Sequence, residues 1–275
     1  VLDRGWLELT AIDVGQGDSL LMAEPGGRLM LVDTGGFPVF GARRGKPPSL
    51  DVGEDVVSPY LLGRSIRNLD VVVATHAHED HIGGVARFAK RHRLPVWLTA
   101  GTLAGFETLF ADVETVQIIG QYGVFAIGDI EVHPFPVPHD AREPAQYVFS
   151  DGLRRFGVLT DTGSSTPHIE SQLSGCDALV LECNHDAEML RMSSYPKRLR
   201  DRIAGRFGHL DNGAAAELLG RLDNGKLKHL VAAHLSQENN RPDLARAALA
   251  AVMNCEPEWI AIADQDDGLA WRQID

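Results

Sequence analysis

The chain has 275 residues with 26 basic and 38 acidic side chains, a net charge of -12. That length exceeds the usual single-domain size but suits one sheet-rich α/β unit with a large core, so residues 1–275 are expected to form a single domain. The acidic balance excludes a global basic field, and any polyanion must therefore be held locally, by bound metal and a patch.

Three cysteines, Cys176, Cys183 and Cys255, show no paired spacing for a zinc clip or a disulfide scaffold and read as reduced core residues. No apolar run reaches the roughly 18 residues of a membrane helix, and no signal peptide is visible. A soluble, cytoplasmic chain is the expectation. Val1 stands where an initiator Met would be, as expected of a processed chain or an excised domain, for which an extracytoplasmic address is the alternative.

Taken in order, Trp6 to Asp13 alternates as a strand and Val14 to Asp18 turns. Ser19 to Ala23 and Arg28 to Val32 follow as strands around the Pro25-Gly26-Gly27 turn. The second ends in Asp33-Thr34-Gly35-Gly36, where Asp33 either orients a metal-bound histidine or caps a turn. A basic loop, Phe40 to Pro48, carries Arg43, Arg44 and Lys46, which suit phosphate contact or plain solvation.

Leu69 to Ala74 reads as a buried strand, and directly after it comes Thr75-His76-Ala77-His78-Glu79-Asp80-His81-Ile82-Gly83-Gly84. Of 11 histidines in the chain, three fall within this loop. Imidazole suits zinc and other first-row ions, and carboxylate oxygen suits harder ions such as manganese, so the mixture can serve two cations. In an extended stretch His76 and His78 point the same way, and Asp80 and His81 follow where the chain turns into a helix.

Beyond this loop, Val85 to His92 is predicted helical with a wet basic face, Leu94 to Leu98 a strand and Thr99 to Asp112 a helix. Glu114 to Ile119 and Val124 to Phe135 carry strands, the latter leading to His139 at a strand end. Ala145 to Phe149 and Arg155 to Leu159 form a hairpin, and the second arm finishes at Asp161, an acid placed to bridge two cations. Ala178 to Glu182 is a buried strand running into Cys183-Asn184-His185-Asp186.

From Ser194 a helix is expected, with Lys197, Arg198, Arg200, Arg202 and Arg206 along about three turns. Gly208-His209-Leu210-Asp211-Asn212 then leads into the helix Gly213 to Leu222. Leu227 to Ala233 is a strand ending in His234, Arg241-Pro242 opens the final helix, and Glu258 to Ala263 and Leu269 to Ile274 are late strands.

The His76-x-His78-x-Asp80-His81 spacing resembles the signature of the metallo-β-lactamase superfamily. Asp13-Val14-Gly15-Gln16-Gly17-Asp18-Ser19, Asp33-Thr34-Gly35-Gly36 and Asp51 to Val57 are similar to the corresponding domain of ComEC-type DNA-uptake proteins. Leu181 to Asp186, Tyr195-Pro196, Gly208 to Asn212 and Ala233 to Asn240 resemble the YycJ/WalJ-type exonucleases, over about Leu94 to Val252. The paired-histidine segment of ComEC proteins is missing from the second half.

The resemblance implies an α/β fold, the αββα four-layer sandwich of the metallo-β-lactamase type, with two divalent ions, Zn2+ or Mn2+. One ion would take His76, His78 and His139; the other Asp80, His81 and His234, with Asp161 bridging and Asp33 behind a ligand. Two such ions about 3.5–4 Å apart generate a bridging hydroxide and neutralise phosphate charge. Asp80 would orient the hydroxide, and His185 and His209 would bind phosphate or protonate the leaving oxygen, with Asn184, Lys197 and Arg198 as substrate contacts.

A DNA exonuclease is the function implied, with 5′-to-3′ polarity suggested by the YycJ resemblance alone. A hydrolase of a small phosphodiester, thioester or lactam is the alternative, since one scaffold hosts several chemistries. A non-catalytic, metal-stabilised DNA-binding module is the third, and the complete ligand set speaks against it.

Overall fold

The computed structural model describes residues 5–12, 14, 17–36, 51–264 and 268–275. Asp13, Gly15 and Gln16 of the N-terminal motif, and the basic loop Phe40 to Pro48, lie outside the described residues. The first six strands are β1 (Leu7–Ala11), β2 (Leu20–Ala23), β3 (Leu29–Val32), β4 (Val71–Val73), β5 (Val96–Thr99) and β6 (Val116–Ile119). The next seven are β7 (Phe125–Ile127), β8 (Ile130–Pro136), β9 (Ala145–Ser150), β10 (Arg155–Leu159), β11 (Ala178–Glu182), β12 (His229–Ala233) and β13 (Ala261–Ile262), and β14 (Arg272–Ile274) ends the chain.

They form two seven-stranded sheets. One runs β14-β1-β2-β3-β4-β5-β6 and the other β13-β12-β11-β10-β9-β8-β7. Each is antiparallel over part of its width and parallel over the rest: β3 to β6 run parallel in the first, and β10 to β13 in the second. The carboxyl ends of the parallel strands therefore open along one edge of each sheet.

The helices are α1 (Ser58–Gly63), α2 (Glu79–Ile82), α3 (Val85–His92), α4 (Ala100–Gly105), α5 (Glu107–Phe110), α6 (Pro167–Leu173), α7 (Ala187–Met192), α8 (Lys197–Ile203), α9 (Asn212–Arg221) and α10 (Pro242–Met253). Three apolar cores stack through the molecule. The central one joins the sheets face to face, with Leu7, Leu9, Met22 and Val73 from the first against Val132, Tyr147, Phe149 and Val231 from the second.

Outside it, Leu61, Val85 and Phe88 cover Leu21, Leu31 and Val72. On the other flank Ile169, Leu218, Leu219 and Leu249 cover Leu179, Leu181 and Leu230. Helix on sheet on sheet on helix is the four-layer αββα sandwich that the sequence implied.

Local differences from the sequence reading have physical causes. Along β1 the polar Glu8 and Thr10 are buried as well as the apolar positions, because α1 and the chain end cover that face. Thr10 Oγ1 contacts Tyr60 Oη at 3.2 Å, and Glu8 Oε1 accepts from Gln273 Nε2 at 3.0 Å. The helix expected over Thr99 to Asp112 breaks at Phe106, between Gly105 and Glu107, and the strand over Val124 to Phe135 folds back at Gly128 with φ +59°. The basic helix is shorter than expected: Pro196 caps α8, and the chain leaves it at Ala204-Gly205.

No helix among the described residues is long and apolar enough to cross a membrane. The sheets are also tied by a polar contact. Tyr147 Oη, fully buried on β9, donates to the carbonyl of Ala74 just past β4 at 2.8 Å. Tyr147→Phe leaves that carbonyl buried without a donor and is expected to lower unfolding free energy in urea by about 1–2 kcal/mol; an unchanged midpoint and slope would show that the bond carries no stability.

Candidate metal centre

Chain leaving the strands at these edges supplies most of the polar side chains of the site, with Asp18 from the turn before β2 and His209 from the link between α8 and α9. β3 delivers Asp33, β4 leads into His76 to His81, β8 into His139, β10 into Asp161, β11 ends on Glu182 and β12 leads into His234. Asp33, Asp161 and His234 have φ of +54°, +52° and +57°, a left-handed conformation uncommon for side-chain-bearing residues. Such strain concentrates where a chain must aim a group at a site.

The His76 to His81 loop is wedged in place by backbone. A Cβ on Gly17 would lie 1.8 Å from the Asp80 carbonyl, and one on Gly36 1.8 Å from the Glu79 carbonyl. Only glycine permits this approach.

Three imidazoles converge on one point. His76 Nε2 lies 3.1 Å, and His139 Nε2 3.2 Å, from His78 Nδ1. Their far nitrogens are already committed: His139 Nδ1 donates to the Gly208 carbonyl at 3.0 Å, and His76 Nδ1 to Thr75 Oγ1 at 2.9 Å, which itself donates to Asp33 Oδ2 at 2.6 Å. Both inward Nε2 atoms therefore present lone pairs, and His78 Nδ1 has one proton at most to share. A cation satisfies such a triplet better than hydrogen bonding does.

The second cluster is richer in oxygen. His81 Nδ1 donates to Asp33 Oδ2 at 3.0 Å, and its Nε2 stands 3.1 Å from Asp161 Oδ2. That second pair lacks hydrogen-bond alignment, which leaves both atoms buried without a hydrogen-bond partner. His234 lies between Asp18, at 3.3 Å through Nδ1, and Asp161, at 3.3 Å through Nε2. His209 Nδ1 meets Glu182 Oε1 at 2.7 Å and Asp161 Oδ1 at 3.5 Å.

Three groups among the described residues have metal-binding proximity: His76, His78 and His139; Asp18, His81, Asp161 and His234; and Asp161, Glu182, His209 and His234. Lone pairs, buried orphan atoms and the mixed nitrogen and oxygen donors fit divalent cations.

Charge divides the two sides. Burial holds His76 well below its usual pKa and His139 below it. Burial also opposes charge on His81 and His234, but Asp161 outweighs it: His81 is held well above its usual range, and Asp161 with Asp18 pushes His234 up to about 10. Burial would raise Asp161, yet His234 and His81 hold it well below the usual carboxylate range. Burial opposes His209 too, and Glu182 and Asp161 prevail, raising it.

The expected ligands His76, His78, His139, His81, Asp161 and His234 thus lie together, and Asp33 Oδ2 accepts from His81 Nδ1 at 3.0 Å behind them. Asp80 belongs to none of the three groups; it is half-buried on α2, and its field reaches His81 and Arg202. His185 is buried behind the site, its Nδ1 3.3 Å from Asn184 Oδ1 and its pKa pushed down by burial to about 4. Asn184 Nδ2 braces the His234 carbonyl at 3.1 Å.

On α8, Lys197 pairs with Asp201, while Arg198 is exposed and makes no ion pair among the described residues. Arg202 Nε reaches Asp140 at 2.5 Å, and Asp140 lies 3.7 Å from His78 and 3.8 Å from His139.

Asp18 and Glu182 escaped the sequence reading as site residues. The signal for each was present: an acid beside a glycine turn, and an acid closing an apolar strand. Asp33→Asn removes the carboxylate that steers His81 and Thr75, and is expected to weaken Mn2+ binding roughly 10–100-fold in a calorimetric titration; wild-type affinity would show that Asp33 does not orient the site.

Residues 48–234 match the Beta-lactamase superfamily domain. The chain is 37% identical over 191 residues to exodeoxyribonuclease YycJ of Bacillus anthracis, covering 69% of this chain and 72% of that protein. ComE operon protein 3 of Bacillus subtilis is 38% identical over 90 residues, 32% of this chain and 12% of that protein. Among solved structures, the metallo-beta-lactamase fold protein YhfI from Bacillus subtilis superposes with a TM-score of 0.71 at 18% identity, covering 98% of this chain and 99% of its own, which bears on the fold alone. With the domain match spanning most of the chain, and a relative this similar over most of its length, the chain belongs to the beta-lactamase superfamily, in the branch that includes YycJ.

Proposed function

We propose that this chain is a two-metal phosphodiester hydrolase that degrades DNA as an exonuclease. The observation that carries the reading is the pair of adjoining donor groups facing one carboxylate, Asp161. Its Oδ1 lies 3.8 Å from His139 Nε2 on one side and 3.3 Å from His234 Nε2 on the other, while Oδ2 faces His81. Similarity to a protein named exodeoxyribonuclease supports DNA as the substrate class.

His76, His78 and His139 would hold one ion, and His81, His234 and Asp18 the other, with Asp161 between them and Asp80 the further carboxylate beside His81. When bound, two Mn2+ or Zn2+ ions supply a hydroxide nucleophile at neutral pH and neutralise charge on the phosphate. Asp33 fixes the tautomer and angle of His81, and through Thr75 those of His76, so that their Nε2 atoms face inward. The Gly208 carbonyl does the same for His139.

His209 is assigned the leaving-oxygen proton. Glu182 holds its Nδ1 at 2.7 Å, and, against the opposing effect of burial, Glu182 with Asp161 shifts the ring toward its protonated form. Asp80, half-buried beside His81, is assigned acceptance of the nucleophile's proton. His185 and Asn184 brace the loop that carries these groups, and Lys197 and Arg198 lie along the incoming strand.

The test is digestion of end-labelled single- and double-stranded DNA with Mn2+, beside Asp161→Ala and a chromogenic phosphodiester. Stepwise shortening is expected, with a rate loss of roughly 1,000-fold in the variant, as several kcal/mol of charge stabilisation disappear. Turnover of the chromogenic ester with intact DNA would overturn the nuclease reading in favour of a small phosphodiester.

A further inference from the structure

Phe207 is the most exposed aromatic ring among the described residues. Phe88, Phe110, Phe135, Phe149 and Phe156 are buried, whereas Phe207 is 53% exposed. A loosely held loop tip would make that unremarkable, but the backbone around Phe207 is tightly held.

The Gly205 amide donates to the Arg202 carbonyl at 3.2 Å, that of Gly208 to Gly205 at 2.8 Å and that of His209 to Ile203 at 2.9 Å. Ser164 Oγ donates to the Arg206 carbonyl at 3.3 Å. A Cβ on Gly163 would come within 2.4 Å of the Gly208 nitrogen, so the turn is also pressed against the chain that follows Asp161. The ring is presented to water from a fixed mount.

That mount belongs to the rim of the metal centre. Gly208, next in sequence, accepts from His139 Nδ1 at 3.0 Å, and His209, two residues on, reaches Glu182 and Asp161. Two residues span at most about 7.6 Å between Cα atoms, so the ring's backbone lies close to the proposed proton donor.

Over one side of the ring, the Arg206 guanidinium carbon lies 5.5 Å from its centroid, which leaves the opposite face for stacking. Neither Arg206 nor Arg198 makes an ion pair among the described residues, and both are exposed, in a chain whose net charge is -12. An exposed aromatic ring with a guanidinium that makes no ion pair among the described residues is how proteins hold single-stranded nucleic acid, because every base has a face to stack and every residue a phosphate to pair.

We propose that Phe207, with Arg206 alongside, is the platform on which the base adjoining the scissile phosphate stacks. The inference rests on the exonuclease reading and adds a preference to it. A base must leave its duplex to lie flat on the ring, so frayed or single-stranded ends are favoured, with little dependence on which base is present. Phe207 is in this account a positioning residue: it fixes which phosphate enters the centre and takes no part in bond breaking.

The test pairs protein and substrate changes. Wild type, Phe207→Ala and Phe207→Trp, each loaded with Mn2+, are given single-stranded oligonucleotides that are intact or carry a base-free tetrahydrofuran residue at successive terminal positions. Phe207→Ala should raise KM for the intact strand roughly tenfold, with the loss falling on KM rather than kcat, and Phe207→Trp should restore it.

At one base-free position wild type should suffer a similar KM loss, and Phe207→Ala should add nothing to it. Digestion of all strands with equal KM in wild type and Phe207→Ala, or an alanine penalty that persists at every base-free position, overturns the platform while leaving the exonuclease intact. Oligonucleotides left whole by loaded wild type overturn the exonuclease reading and the platform together.

Discussion

Everything in the site follows from one buried carboxylate. Asp161 is 2% exposed and stands within 3.1–3.8 Å of nitrogens from His81, His139, His209 and His234. An ionised carboxylate removed from water must be compensated by positive charge, or it takes up a proton. Imidazoles that accept protons can compensate it in the protein alone. They can also give those protons up to divalent ions, which makes metal uptake and proton release one equilibrium.

That arrangement requires strands far apart in sequence to end at one place. β4 lies in the first sheet and β8, β10, β11 and β12 in the second, so no local motif can hold the site together. The apolar core between the sheets, with Tyr147, Phe149 and Val73 at its centre, fixes the distance between their edges. The left-handed backbone at Asp33, Asp161 and His234 is the local cost of aiming those groups, and the packed sheets maintain it. Stability of the core and geometry of the site are therefore coupled.

Much of this was legible in the sequence. Three imidazoles packed into the loop after β4 and single acids or histidines at strand ends pointed to His76, His78, His81, His139 and Asp161, and the family resemblance added His234. What escaped was what depends on convergence. Asp18 and Glu182 matter because β12 and β10 end beside them, and nothing local distinguishes them from a turn acid and a strand acid. Periodicity overran at α8 because basic residues continue past Gly205, where the chain turns back toward His209, and that misreading hid Phe207.

The central claim is that two cations share Asp161. Its most direct measurement is the metal content of protein dialysed against Mn2+ and desalted, by elemental analysis, for wild type, His76→Ala and Asp161→Ala. Two ions per chain in wild type, one in His76→Ala and fewer than one in Asp161→Ala is the result this account predicts. One ion or none in wild type, or two retained without Asp161, would contradict it.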